Sequence, residues 1–175
     1  MNRRHTLSLS VITALGLAIL AGNAVAQQKS LQQQLVGTWN IVSVDQTDAQ
    51  GKKHQLFGPN PKGSQVLDAS GQYVQIIWRS DVPKFIANSR LKGTAEENAA
   101  AVQGTTATFG TWTVDEASKT LTVRVVGSLF PNQVGSESKR TVSVTGDELR
   151  VSNPATGSGM RSDTVWRRAK STATN

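Results

Sequence analysis

The stretch Thr120-Leu121-Thr122-Val123-Arg124-Val125-Val126-Gly127 decides the fold class. Successive side chains of an extended chain point to opposite faces, so Leu121, Val123 and Val125 share one side and Thr122 and Arg124 the other. The run is rich in β-branched residues, which suit a pleated, half-buried surface. Its period of two is that of a strand with one dry and one wet face. Working outward, residues 115–119 turn the chain back to a strand over 105–114. Downstream, a long loop over 127–135 leads to a strand over 138–145. The tight turn Gly146-Asp147 then leads to a strand over 148–153.

The same pattern continues toward both ends. A strand over 36–46 carries Trp39, Ile41 and Ser43 on one face and Val42 and Val44 on the other. After a Gly- and Pro-rich loop over 51–63 come strands over 64–68 and 72–79, joined by the hairpin signal Asp68-Ala69-Ser70-Gly71. In the second, Val74, Ile76 and Trp78 alternate against Tyr73, Gln75 and Ile77. A loop over 153–159 precedes a last strand over 160–168. One helix stands out, over 95–102. Thr94 and Glu97 fit a capping box, and Gly104 ends it. Glu96 and Glu97 suit the positive end of that helix; the sharper alternative makes them catalytic or metal-binding carboxylates.

Eight short strands with mostly hairpin-length links and one helix predict an all-β antiparallel barrel, with a β-sandwich as the competing architecture. A closed barrel has no free edge to aggregate. Eight strands leave a bore that side chains fill or that holds one small ligand. Gly-Thr-Trp occurs twice, at 37–39 and 110–112, and chance or shared strand-start chemistry explains this better than duplication.

The ends read differently. Residues 1–26 resemble a secretory signal peptide: Arg3 and Arg4, an apolar stretch over 7–21, and Ala24-Val25-Ala26 before Gln27. About 15 apolar residues fall short of the ~20 needed to cross a bilayer, so no transmembrane span is expected after cleavage. His5-Thr6-Leu7 after the arginine pair fits the general export route better than the twin-arginine one. The expected location is periplasmic or secreted. Residues 27–34 form a polar leader with a short helical turn ending at Leu35. The barrel domain spans 35–169, and 170–175 is a frayed tail.

Composition removes several function classes. Two of the nineteen basic residues, Arg3 and Arg4, and none of the twelve acids fall in 1–26, so the remainder carries +5. Those charges are scattered rather than gathered on a face with stacking aromatics, which argues against a nucleic-acid partner. Without cysteine there is no thiol catalysis, zinc–thiolate site or redox switch. The motifs of serine hydrolases, zinc proteases, calcium loops and phosphate-binding loops are missing, and Gly157-Ser158-Gly159 leads into a strand rather than a helix. His54, the one histidine beyond the leader, sits in a polar loop with no evident partner. No cofactor, metal site or catalytic residue is implied.

Several longer motifs occur in order: Leu35-Val36-Gly37-Thr38-Trp39, Gly58-Pro59-Asn60-Pro61-Lys62-Gly63, Phe109-Gly110-Thr111-Trp112-Thr113-Val114-Asp115, Gly127-Ser128-Leu129-Phe130-Pro131-Asn132-Gln133-Val134-Gly135 and Val165-Trp166-Arg167-Arg168. Together they resemble the bacterial and fungal family of lipocalin-like domain proteins over residues 35–168. The resemblance implies a calycin-type barrel of eight to ten strands with a helix over one end, and no single activity. It also implies that Trp39 closes the barrel floor against a basic residue of the last strand, Arg167 or Arg168. An indole under a guanidinium gains roughly 0.5–2 kcal/mol.

The candidate lumen is an apolar cavity with a few polar anchors. Its candidate ligand-binding residues are Tyr73, Ile77, Arg79, Phe85, Phe109, Trp112, Phe130 and Asn132. The loop over 58–63 either sets the approach angle of the next strand or frames the mouth with Asn60 and Lys62. Leu129 and Phe130 fold in as a core plug or touch a ligand. Three functions follow. The first is a module binding a small apolar or amphipathic molecule, with Arg79 facing its charge. The second is a small cofactor-free enzyme, such as an isomerase, cyclase or hydrolase, using Tyr73, Arg79 or a buried carboxylate. The third is a solid-barrel structural protein of the envelope.

Overall fold

Residues 29–170 are described by the computed structural model; the signal peptide expected over 1–26, the first two residues of the polar leader and all but Lys170 of the tail expected over 170–175 lie outside the described residues. Nine strands run β1 (Gly37–Thr47), β2 (Lys53–His54), β3 (Lys62–Leu67), β4 (Gln72–Trp78), β5 (Thr105–Asp115), β6 (Thr120–Ser128), β7 (Glu137–Thr145), β8 (Glu148–Asn153) and β9 (Arg161–Arg168). Two helices, α1 (Leu31–Leu35) and α2 (Ala95–Gln103), complete the main elements. Every neighbouring pair is antiparallel, and β1 pairs with β9, from Trp39 opposite Arg168 to Thr47 opposite Arg161. The sheet therefore closes on itself as an eight-stranded up-and-down barrel, with β2 as an extra two-residue strand beside the end of β1. The sandwich alternative is excluded by that closure.

The alternation expected of residues 120–127 is the one observed: Leu121, Val123 and Val125 are buried and Arg124 is exposed. In β4 the inward set is Tyr73, Gln75 and Ile77, which leaves Val74, Ile76 and Trp78 on the outer surface. In β1 the sequence expectation fails halfway. Ile41 pairs with Trp166 and Ser43 with Val165, so Val42 is an extra residue without a partner. Such a bulge reverses the facing of everything beyond it. Trp39 and Ile41 point inward before it; Val44 and Gln46 point inward after it.

The floor of the barrel is packed and tied at several points. Trp39 is fully buried, and its indole Nε1 donates to the Leu35 carbonyl at 2.8 Å. The guanidinium of Arg168 lies 4.1 Å from the Trp39 ring centre. It also donates to the carbonyls of Val36 (3.0 Å) and Gln34 (2.6 Å), where α1 runs out of internal partners. At the other end of α1, Glu116 from the β5–β6 turn accepts from the amides of Leu31 and Gln32 at 2.8 and 2.9 Å. A capping box between Ser30 and Gln33 satisfies the remaining amides. A five-residue helix has little stability of its own, so these ties are what hold α1 across the floor. Of the two C-terminal arginines only Arg168 stacks on Trp39. Arg167 is one position along the strand, and alternation turns it to the exposed outer face.

The opposite end is built from connections: residues 48–61, 79–104, 129–136 and 154–160. Gly63 lets β3 begin close against β4, with a φ of +153° and room so tight that a Cβ would lie 2.1 Å from the Ile76 carbonyl oxygen. α2 rides on the β4–β5 connection. Its capping box between Thr94 and Glu97 is formed, and Glu97 accepts from the Ile86 amide as well (2.8 Å), so this carboxylate organises a loop.

Candidate functional site

The mouth half of the barrel is hollow. A cavity of about 310 Å³ opens between the connections at this end, within the lower range of small-molecule sites, ~300–1,000 Å³. Its outer margin is mixed: Leu56, Val102, Leu129 and Phe130 are each partly exposed around the opening, beside the polar Gln133, Thr156 and Ser158. Phe57, Val44, Ile77, Val151 and Trp166 supply buried apolar wall.

Two rows of polar side chains cross the interior, and strand register explains both. Gln65 on β3 faces Gln75 on β4, which faces Thr108 on β5. On the far wall Gln46 of β1 faces Ser162 of β9, which faces Asn153 of β8. All six line the cavity. Three buried atoms among them have no protein partner: Gln46 Oε1, Gln65 Nε2 and Thr108 Oγ1. Buried polar atoms in folded proteins are nearly always hydrogen-bonded, and an unpaired one costs about 1–3 kcal/mol. Clustering of three such atoms on one cavity is a cost to the fold that an occupant with polar atoms would offset.

One charged side chain lines the cavity. Arg140 points inward from β7. Its Nε donates to Ser138 Oγ at 3.0 Å, and its Nη1 donates to the Tyr73 hydroxyl at 3.0 Å and, more weakly, to Gln75 Oε1 at 3.4 Å. The guanidinium also stands 5.6 Å from the centre of the Tyr73 ring. The Tyr73 hydroxyl in turn donates to Gln75 Oε1. No Asp or Glu is among the residues lining the cavity.

The residues nominated from sequence scatter over several environments. Ile77 and Phe130 line the cavity. Tyr73 is buried just behind its wall and reaches it through Arg140 and Gln75. Trp112 belongs to the packed lower core, its Nε1 donating to the Asp68 carbonyl at 3.0 Å across the β3–β4 hairpin. Phe109 points outward and covers Gly127, where a Cβ would sit 2.1 Å from its ring. Arg79 follows the end of β4 and is occupied outside the lumen, in a two-point ion pair with Asp81 at 2.8–2.9 Å. Phe85 packs on Gly93 in the long connection, and Asn132 is exposed in the Pro131–Gln133 turn. Neither lines the cavity.

The loop over 58–63 sets the start of β3, and its Asn60 and Lys62 face solvent away from the cavity. Leu129 and Phe130 sit at the mouth rather than plugging the core. His54 has a partner that sequence reasoning missed: its Nε2 lies 2.7 Å from Asp48 Oδ2 at the rim. This contact, with the Lys52 and Gln50 amides, holds the Asp48 carboxyl below its usual range. The expectation of a mainly apolar lumen is corrected to a mixed one, with apolar and polar side chains side by side at the opening and along the walls. Among the described residues no three His, Asp or Glu side chains gather as a metal site requires, and no helix is long and apolar enough to cross a membrane.

The family comparison agrees with the architecture. The family model of the lipocalin-like domain matches residues 36–173. Among solved structures, a lipocalin-like protein from Bacteroides uniformis superposes with a TM-score of 0.42 at 13% identity, covering 78% of this chain and 99% of its own. No curated protein matches the sequence.

Proposed function

Because the chain belongs to the lipocalin-like domain family and its barrel is hollow at one end, we propose that it binds one small amphipathic molecule in the lumen. One observation carries this reading: the open cavity of about 310 Å³ is walled by inward-facing Gln46, Gln65 and Thr108, each with a buried atom that lacks a protein partner. A barrel selected only for solidity would place apolar side chains at those positions, as the lower half does. The exposed carbon surfaces of Leu56, Val102, Leu129 and Phe130 suit the body of such a molecule and the polar rows suit its functional groups. The enzyme alternative would have to draw its proton chemistry from Tyr73, with Arg140 as a fixed positive charge, since among the described residues no carboxylate or imidazole lines the cavity. We also read residues 1–26 as an export signal, so that the ligand is met outside the cytoplasm.

Two measurements test this. Native mass spectrometry of protein isolated from the envelope fraction is expected to show a copurified small molecule and a mature chain beginning at Gln27. Thermal unfolding is expected to shift upward with a subset of a panel of fatty acids, aromatic acids and isoprenoids, as binding to the native state requires. The shift should vanish in Thr106→Trp, which fills the upper lumen. Absence of both a bound mass and any shift across the panel would remove the reading.

A further inference from the structure

We propose that Arg140 is the anion anchor of the lumen and that the occupant is a singly charged amphipathic acid. Its carboxylate or sulfonate rests on the guanidinium, and its apolar body lies toward the mouth. This rests on the reading of the lumen as a binding site and names the chemical class it takes.

The argument is one of valence and position. A guanidinium is a permanent cation with five N–H donors in a flat fork. In Arg140, Nε and Nη1 are engaged by Ser138, Tyr73 and Gln75, all neutral acceptors, while Nη2 makes no hydrogen bond within the described residues. The other arginines that face a carboxylate among the described residues do so on the outer surface or at the floor: Arg79 with Asp81, Arg124 with Glu137, Arg150 with Glu148, Arg161 with Asp163 and Arg168 with Asp147. Arg140 has no such partner, although it is half-buried within the barrel, where an uncompensated charge is costly. Nor can a cationic ligand be accommodated by charge, since no acidic residue lines the cavity.

A second observation points the same way. Gln65 is 2% exposed, and its amide Nε2, a donor, lacks a partner. Gln65 is directly opposite Gln75, which itself accepts from Arg140 and Tyr73. The interior thus offers an unused amide donor beside the residue that holds the guanidinium, a pair of donors suited to the two oxygens of an acid group. The three contacts that hold Arg140 fix its plane before any ligand arrives, which reduces the ordering cost of binding. At the opening, the exposed side chains of Leu56, Val102, Leu129 and Phe130 offer carbon surface to the apolar part of an occupant whose acid group lies deeper, at the guanidinium.

The test uses two fluorescent probes with one scaffold: 8-anilinonaphthalene-1-sulfonate, and N-phenyl-1-naphthylamine, which lacks the sulfonate. Titrated against the full chain, the sulfonate is expected to bind about tenfold tighter or more, with the advantage shrinking as salt rises. In Arg140→Gln the two affinities should converge while that of the neutral probe stays unchanged. Arg140→Lys keeps the charge without the fork and should retain part of the preference, so the question stays answerable if the glutamine variant folds poorly. Thr106→Trp should weaken both probes. Equal affinities for the unaltered protein, or a sulfonate advantage that survives Arg140→Gln, would overturn the anchor and leave lumen binding standing. No binding of either probe, or binding of both that Thr106→Trp leaves untouched, would overturn the lumen reading itself.

Discussion

The two halves of this barrel use the same strands and the same alternation, yet they fill the inward positions differently. Below, Trp39, Leu67, Trp112, Leu121, Val142 and Leu149 form a buried cluster, and among the described residues none of the buried side-chain polar atoms left without a partner belongs to the floor. Above, the inward positions of β1, β3 and β5 carry Gln46, Gln65 and Thr108, and polar atoms are left unpaired around a cavity. Tight packing and open space are therefore separated along the barrel axis. Substitutions at the two ends should differ in sign as well as size.

The largest effect belongs to the floor. Trp39→Ala removes a fully buried indole and empties the volume beneath Arg168. Loss of burial plus a residual cavity is expected to cost about 3–5 kcal/mol in urea unfolding. A loss under about 1 kcal/mol would mean that the floor collapses to fill the space and that the contrast between the halves is weaker than packing implies.

Next comes a pair of neighbours that differ only in facing. Arg168→Leu removes the stacked cation and the donors to Gln34 and Val36, contacts to the end of α1. Charged hydrogen bonds and cation–π contact together suggest a loss of about 2–3 kcal/mol. Arg167→Leu, on the exposed face, should stay within about 0.5 kcal/mol. Equal effects would show that α1 is held by something other than the Arg168 clamp.

What the sequence made readable follows the same division. The strands, their hairpins and the helix caps depend on local periodicity and turn chemistry, so Leu121-Thr122-Val123 and Thr94…Glu97 could be placed from their own neighbourhoods. The Val42 bulge could not: a β-branched residue in a β-branched run looks like ordinary alternation, and only pairing with β9 reveals the extra residue. Lys53-His54 in β2 carries no apolar signal at all. The site was harder still. Large side chains dominate the lumen expected from sequence, yet Phe109 and Trp112 are three apart and an uninterrupted strand cannot turn both inward. The residues that do wall the cavity, Gln65, Gln75 and Thr108, are polar, and periodicity read from apolar residues assigns such positions to solvent. Arg140, next to Lys139, read as scattered surface charge for the same reason.

In the upper half a polar-to-apolar change should help rather than harm. Thr108→Val replaces an unpaired buried hydroxyl with a methyl of nearly the same shape. It is expected to raise unfolding stability by up to about 1 kcal/mol, because a desolvation penalty disappears and no hydrogen bond is lost. The same change should lower ligand-induced stabilisation. A destabilised Thr108→Val would show that the hydroxyl is satisfied in the native state and would erase the sharpest difference between the halves.

The smallest effect separates the ends by pH. Asp48 anchors the rim: its Oδ1 accepts from the Gln50 and Lys52 amides at 3.0 and 2.9 Å, and its Oδ2 meets His54. These contacts, the His54 one foremost, favour the carboxylate and lower its folded pKa. A depressed folded value means the contribution is intact above the unfolded value of about 4 and is lost as pH falls through the folded one. The floor ties of Trp39 involve an indole and a carbonyl, which do not titrate there. In an acid titration followed by NMR, the Gln50 and Lys52 amides should therefore move with a shared midpoint below the ordinary carboxylate range, while the Trp39 indole N–H stays fixed. In Asp48→Asn the two amide transitions should disappear. An indole signal moving in step with the rim would mean that the two ends unfold as one unit under acid, and that the division between them holds for packing but not for local stability.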